Sequence, residues 1–172
     1  MKYFLFLALI LVATTSFSKN SYAQFKVKDS FYFMKDDGEF SDEEKDEEAQ
    51  YIHDQCVNNS IQSVYFDCAC VAGAFRAERD KEKIMPQSQI VNTILTSDVY
   101  GCANTAAIAG ETYEFCSEYA RVFRSRKKNN SQYCKCVANT MAHNFKKEPQ
   151  LRRRHIKDLR VNAMGSCRYK YD

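Results

Sequence analysis

Apolar residues return every three or four positions through most of this chain, and the intervals between polar residues fit the same turn. From Glu111 to Arg124, the residues Tyr113, Cys116, Ala120 and Phe123 keep helical spacing, and Phe115, Tyr119 and Val122 widen that face. A shorter pattern over Glu48 to Val57 carries Cys56. Val64, Cys68, Val71 and Phe75 form a second stripe, and Cys134, Val137 and Met141 a matching one. Third helices are predicted to start at Pro86 and at Pro149, because the first turn of a helix does not need the missing N–H. These would bury Ile90, Ile94 and Leu95 in one case, and Leu151, Ile156 and Leu159 in the other. Gly101 and Gly165 each precede a cysteine and fit a helix end or a close approach. The expected class is therefore all-α.

The cysteines turn these patterns into an order. Cys56, Cys68-Ala69-Cys70-Val71-Ala72, Pro86-Gln87 and Gly101-Cys102 come first. Cys116, Cys134-Lys135-Cys136-Val137-Ala138, Pro149-Gln150 and Gly165-Ser166-Cys167 follow in the same sequence. Four landmarks in one order, with spacings drifting by a few residues, read as a duplication. The predicted architecture is two tandem three-helix units, 48–109 and 110–172. A glycine-containing but proline-free stretch from Cys102 to Cys116 would join them almost continuously.

Two residues apart on a helix point about 200° apart, so the sulfurs of each CysXCys face opposite flanks. A bond within the motif would break the helix, whereas two bonds to two neighbours suit it. The preferred pairing is Cys56 with Cys68, Cys70 with Cys102, Cys116 with Cys134 and Cys136 with Cys167. Exchanging the partners of each CysXCys stays open.

The other end of the chain reads differently. Lys2 followed by the apolar run Tyr3 to Val12 and by Ser21-Tyr22-Ala23 is the pattern of a secretory signal over 1–23, cleaved before Gln24. The apolar run is about ten residues, half of what spans a bilayer, and no later segment reads as a membrane helix. An oxidising compartment, periplasmic or extracellular, and structural disulfides follow together. Two Asn-X-Ser sites, at Asn58 and Asn129, would matter in a eukaryotic route, but this leader reads as bacterial.

Charge then divides the chain. The net charge is +3 for the 172 residues and falls to +1 once Lys2 and Lys19 leave with the signal. From Gln24 to Gln50 four Lys face ten acids, and from Gly101 to Asp172 fifteen Lys or Arg face six. The acidic stretch, 24–47, reads as a flexible arm that could fold back on the basic half and compete there with outside anionic ligands. Its aromatic group, Phe25, Phe31, Tyr32, Phe33 and Met34, is either a short strand or a docking segment. The basic half offers one cluster at Arg121, Arg124, Arg126, Lys127 and Lys128, and another at Arg152, Arg153, Arg154, Lys157 and Arg160. Such patches attract anionic lipid, acidic protein or nucleic acid, and export argues against nucleic acid.

Catalytic signatures are lacking: there is no Gly-rich phosphate loop, no nucleophile elbow and no His-Glu-X-X-His. Soft thiolates of the two CysXCys motifs with His143 would suit copper(I) or zinc, although the spacing differs from closed zinc sites. His53 and His155 sit among charged residues and read as surface. No cofactor or bound metal is expected. The reading is a non-enzymatic interaction module for a protein or anionic surface. Thiol–disulfide exchange or copper/zinc handling at CysXCys is the alternative.

The tandem order of Cys, CysXCys and Cys from Cys56 to Cys167 resembles small exported bacterial proteins carrying that pattern in helical surroundings. The resemblance implies a fold and a compartment and no activity. Helical hairpins of the mitochondrial intermembrane space, with paired Cys-X9-Cys, look superficially similar. The twelve- and eighteen-residue spacings here depart from theirs, so their import-linked role is not carried over.

Overall fold

The structure, a computed structural model, describes residues 40–122 and 130–171. The side chains of 120–122, 169 and 171 are not among the described parts. The signal sequence, the aromatic group at 25–34 and the basic residues 124–128 lie outside this range. Within it the chain forms seven helices and no extended strand: α1 Asp42–Asn58, α2 Gln62–Tyr65, α3 Cys68–Lys81, α4 Gln87–Thr96, α5 Thr105–Val122, α6 Asn130–Lys147 and α7 Arg153–Tyr171.

α1 begins six residues before the predicted start. Ser41 and Glu44 close a reciprocal capping box, in which Ser41 Oγ accepts from the Glu44 N–H and Glu44 Oε2 accepts from the Ser41 N–H at 2.8 Å. The acids of 42–47, expected in a flexible arm, are thus the first turns of a helix. Their charge has partners on α3. Arg76 reaches Asp42, Asp46 and Asp80 at 3.0, 2.6 and 2.8 Å, and Lys45 reaches Asp80 at 2.7 Å. Those hydrogen bonds from Lys45 and Arg76 hold the Asp80 carboxyl below its usual range. Acids held in this way are not free to compete with outside anions for the basic half. Only 24–39 remains of that arm, outside the described range.

The stripe from Val64 to Phe75 is broken. Val64 belongs to the single turn α2, and Asp67 then caps α3, accepting from the N–H groups of Ala69 and Cys70. α4 starts after Pro86 as expected but ends at Thr96, so Cys102 lies beyond it. Gly101 turns the chain with φ of 66°, a left-handed conformation suited to glycine. The following segment pairs with 65–67: Asp67 N–H donates to the Cys102 carbonyl at 2.8 Å, and Asn104 N–H to the Tyr65 carbonyl at 3.0 Å. In the second half, α7 starts at Arg153 rather than Pro149, and Gly165 lies inside it rather than at its end. The boundary placed at 109/110 falls within α5, which starts at Thr105.

α3 packs between α1 and α4, and α6 packs between α5 and α7. Counting from the first cysteine of each CysXCys, the buried positions coincide: Cys68 with Cys134, Val71 with Val137, Phe75 with Met141. One continuous core joins both halves. At their junction Phe145 meets Tyr65 and Phe66 with ring centroids 4.9 and 5.6 Å apart. Phe115 and Tyr119, assigned to the buried face of α5, instead stack on each other at the surface, 40% and 47% exposed.

Candidate functional site

All eight cysteines are bonded: Cys56–Cys68, Cys70–Cys102, Cys116–Cys134 and Cys136–Cys167, with Cα separations of 5.3 to 5.9 Å. In each half one bond ties the first helix to the start of the middle one. The second bond leaves the opposite flank of that middle helix, as the 200° rule requires. It reaches the loop after α4 in one case and the body of α7 in the other. Six of the sulfurs are on buried residues, while Cys70 and Cys136 are half-buried. No group of three or more His, Cys, Asp or Glu side chains suited to a metal occurs among the described residues. His143 is exposed on α6; His53 lies 3.3 Å from Asp54, and His155 Nε2 lies 2.9 Å from the Glu148 carbonyl.

The basic residues divide. Arg152, Arg153, Arg154 and Lys157 are exposed around the start of α7, with Arg154 only 3.9 Å from Asp158. Arg160 does not belong with them. Its guanidinium donates to Glu111 Oε1 at 3.1 Å and lies 4.4 Å from the Phe115 ring centroid. Tyr65 donates to the other oxygen of Glu111 at 3.2 Å, so these three residues bridge α2, α5 and α7. Burial first, and the Glu111 charge second, push the Tyr65 phenol up to about 12. Arg121 is on α5, and the rest of its cluster lies outside the described residues.

Hollows open on the surface of both halves among the described residues. A groove of about 280 Å³ between α1, α3 and α4 is walled by Tyr51, Ile52, Val71, Val91 and Leu95, with the Cys56–Cys68 bond at its edge. A wider hollow of about 610 Å³ lies on the second half, lined by Gln132, Lys135, Cys136, Asn139 and Thr140 of α6 with Lys170 of α7.

No protein-family model, curated protein or solved structure matches this chain.

Sequence reasoning missed the most buried charges. Glu48 and Arg79 meet in a bidentate pair at 2.8 and 3.0 Å, with side chains 0% and 2% exposed. Arg79 also donates to the Met85 carbonyl at 2.6 Å and lies about as far from the Phe40 and Phe75 rings, 5.0 and 5.2 Å to their centroids, as a cation–π contact requires. The pair fastens α1 to α3 and holds the loop leading to α4. The signal was present: Glu48, Ile52 and Cys56 are four apart, and Arg79 is four beyond Phe75.

Proposed function

We propose that this protein is an exported, non-enzymatic binding module, built as two copies of one disulfide-braced unit, whose partner is anionic. The observation that carries the reading is the opening of α7. Arg153 and Arg154 occupy its first turn, no acid accompanies them there, and both are exposed. The N-terminal end of a helix already carries partial positive charge, so cations there cost roughly 0.3–1 kcal/mol each. Folding does not ask for them, whereas an anion would be attracted by side chains and helix end together. The four disulfides support an oxidising compartment. Among the described residues no helix is long and apolar enough to cross a membrane. The equal connectivity of the bonds in both halves supports the duplication.

The test is heparin affinity of the mature protein across a salt gradient. Retention should weaken with salt and fall sharply when Arg152→Gln, Arg153→Gln and Arg154→Gln are combined. Elution of the parent and the triple variant at the same salt would sink the reading. Thiol–disulfide or metal handling keeps one observation in its favour, the half-buried state of Cys70 and Cys136. Alkylation of the unreduced protein followed by intact mass decides it: label on any CysXCys sulfur would reverse the ranking.

A further inference from the structure

The hollow on the second half has an unusual lining. Lys135 and Lys170 supply two ammonium groups, Gln132 and Asn139 two primary amides, and Thr140 a hydroxyl. No carboxylate lines it among the described residues. Neither ammonium is in an ion pair among those residues, while Lys45, Arg76, Lys81 and Arg160 all have carboxylate partners. The floor is fixed. Cys136 is bonded to Cys167, and Thr140 Oγ1 lies 3.6 Å from the Cys167 sulfur, so α6 and α7 cannot slide apart beneath the site.

The first half offers a built-in comparison. Counted from the CysXCys, Lys135, Asn139 and Thr140 correspond to Ala69, Gly73 and Ala74. Exposure is the same at each pair, exposed at the first two and intermediate at the third. The scaffold therefore does not demand polar residues at these places, and the second half alone has acquired them.

We propose that this hollow binds a doubly charged oxyanion group of the phosphate-monoester kind, an inference that rests on the anionic-partner reading above. Two ammonium groups match a dianion, whereas a single carboxylate would leave one of them uncompensated. Ammonium and amide donors suit the several acceptor oxygens of a phosphate. At about 610 Å³ the hollow falls in the range of small-molecule sites and leaves room for the remainder of an ester.

The experiment is an amide chemical-shift titration of the disulfide-intact mature protein with inorganic phosphate and with phenyl phosphate. Co-sedimentation with phosphatidylcholine vesicles containing phosphatidic acid runs beside it. Saturable shifts should centre on Gln132 to Thr140 and on Lys170. Lys135→Gln and Lys170→Gln, both exposed positions, should each weaken binding by roughly tenfold or more. Saturation by the soluble phosphates assigns the site to a free ester. Lysine-dependent binding to vesicles alone assigns it to a lipid headgroup, and either outcome supports the proposal. Failure of all three probes overturns it, as does binding that survives the double lysine variant. Binding lost in the Arg152, Arg153 and Arg154 triple variant but kept in the lysine variants would overturn the hollow while leaving the anionic partner standing.

Discussion

Glu48 stands eight residues before Cys56 and Arg79 eleven after Cys68; the same counts from Cys116 and Cys134 reach Ile108 and Phe145, both 0% exposed. At matching positions in the register, one half therefore carries a buried ion pair and the other two buried apolar side chains. This sets up a double-mutant cycle with Glu48→Ile and Arg79→Phe. Removing one member strands the other in the core, which typically costs about 3–5 kcal/mol. Glu48→Ile should sit near the low end, because Arg79 keeps the Met85 carbonyl and two aromatic rings. Arg79→Phe should sit near the high end, because it also orphans that carbonyl. Replacing a buried pair by apolar residues is often neutral or stabilising by about 1–4 kcal/mol. The lost carbonyl bond returns about 1 kcal/mol of that. The double variant should then lie within about 2 kcal/mol of the parent, giving a coupling of about 6 kcal/mol or more. Urea unfolding of the disulfide-intact protein, followed by circular dichroism, measures all four corners. A double variant that falls by the sum of the singles, or singles within about 1 kcal/mol of the parent, would refute the reasoning.

Disulfide removal should follow loop length: replacing Cys70 and Cys102, 32 residues apart, should cost about 1 kcal/mol more than replacing Cys56 and Cys68, 12 apart, as read by denaturant midpoint. Mild reduction followed by alkylation and peptide mapping should open Cys70–Cys102 or Cys136–Cys167 before Cys116–Cys134, whose residues are 1% and 0% exposed. Gly165→Ala, inside α7 with nothing within 4 Å of the added carbon, should raise stability by about 0.5–1 kcal/mol, and Gly101→Ala at φ of 66° should lower it by about 1–2. The folded state holds the Tyr65 phenol neutral up to about 12 against an ordinary 10.0. Its contribution is therefore complete below pH 10 and lost as pH rises towards 12, so the stability gap between parent and Tyr65→Phe should narrow across that window.

The helical class and the middle helices were legible because buried positions keep one period through each CysXCys, and sulfurs two apart on a helix must serve two neighbours. The acidic start of α1 was not. Its charges look unsupported along the chain because Arg76, which receives them, is 30 residues from Asp46 and 34 from Asp42. Yet Ser41 and Glu44 already spelled a capping box. Glu48 and Arg79 were hidden by their charge: each extends an apolar stripe by one turn, and a stripe read by hydrophobicity stops one turn short. Of the donor-lined hollow, Gln132, Lys135, Asn139 and Thr140 share one helix face and were visible in principle. Lys170 joins them only because Cys136 and Cys167 bring α7 alongside, a fact of pairing that spacing left open.

Stability and binding should oppose each other at the start of α7. Four cross-links closing loops of 12 to 32 residues contribute about 3–4 kcal/mol each. Together they match the net stability of an ordinary domain. A scaffold so braced can carry residues that folding disfavours, such as Arg153 and Arg154 at the positive end of a helix. Changing Arg153→Glu and Arg154→Glu replaces repulsion from that end by attraction. At about 0.3–1 kcal/mol per charge, less about 0.5 kcal/mol for the like charge set four residues before Asp158, the double variant should gain roughly 1 kcal/mol in urea while losing heparin affinity. A gain in stability with binding retained would remove these arginines from the anion surface. A loss of stability would mean that they hold α7 in place, and the argument that function put them there would fail.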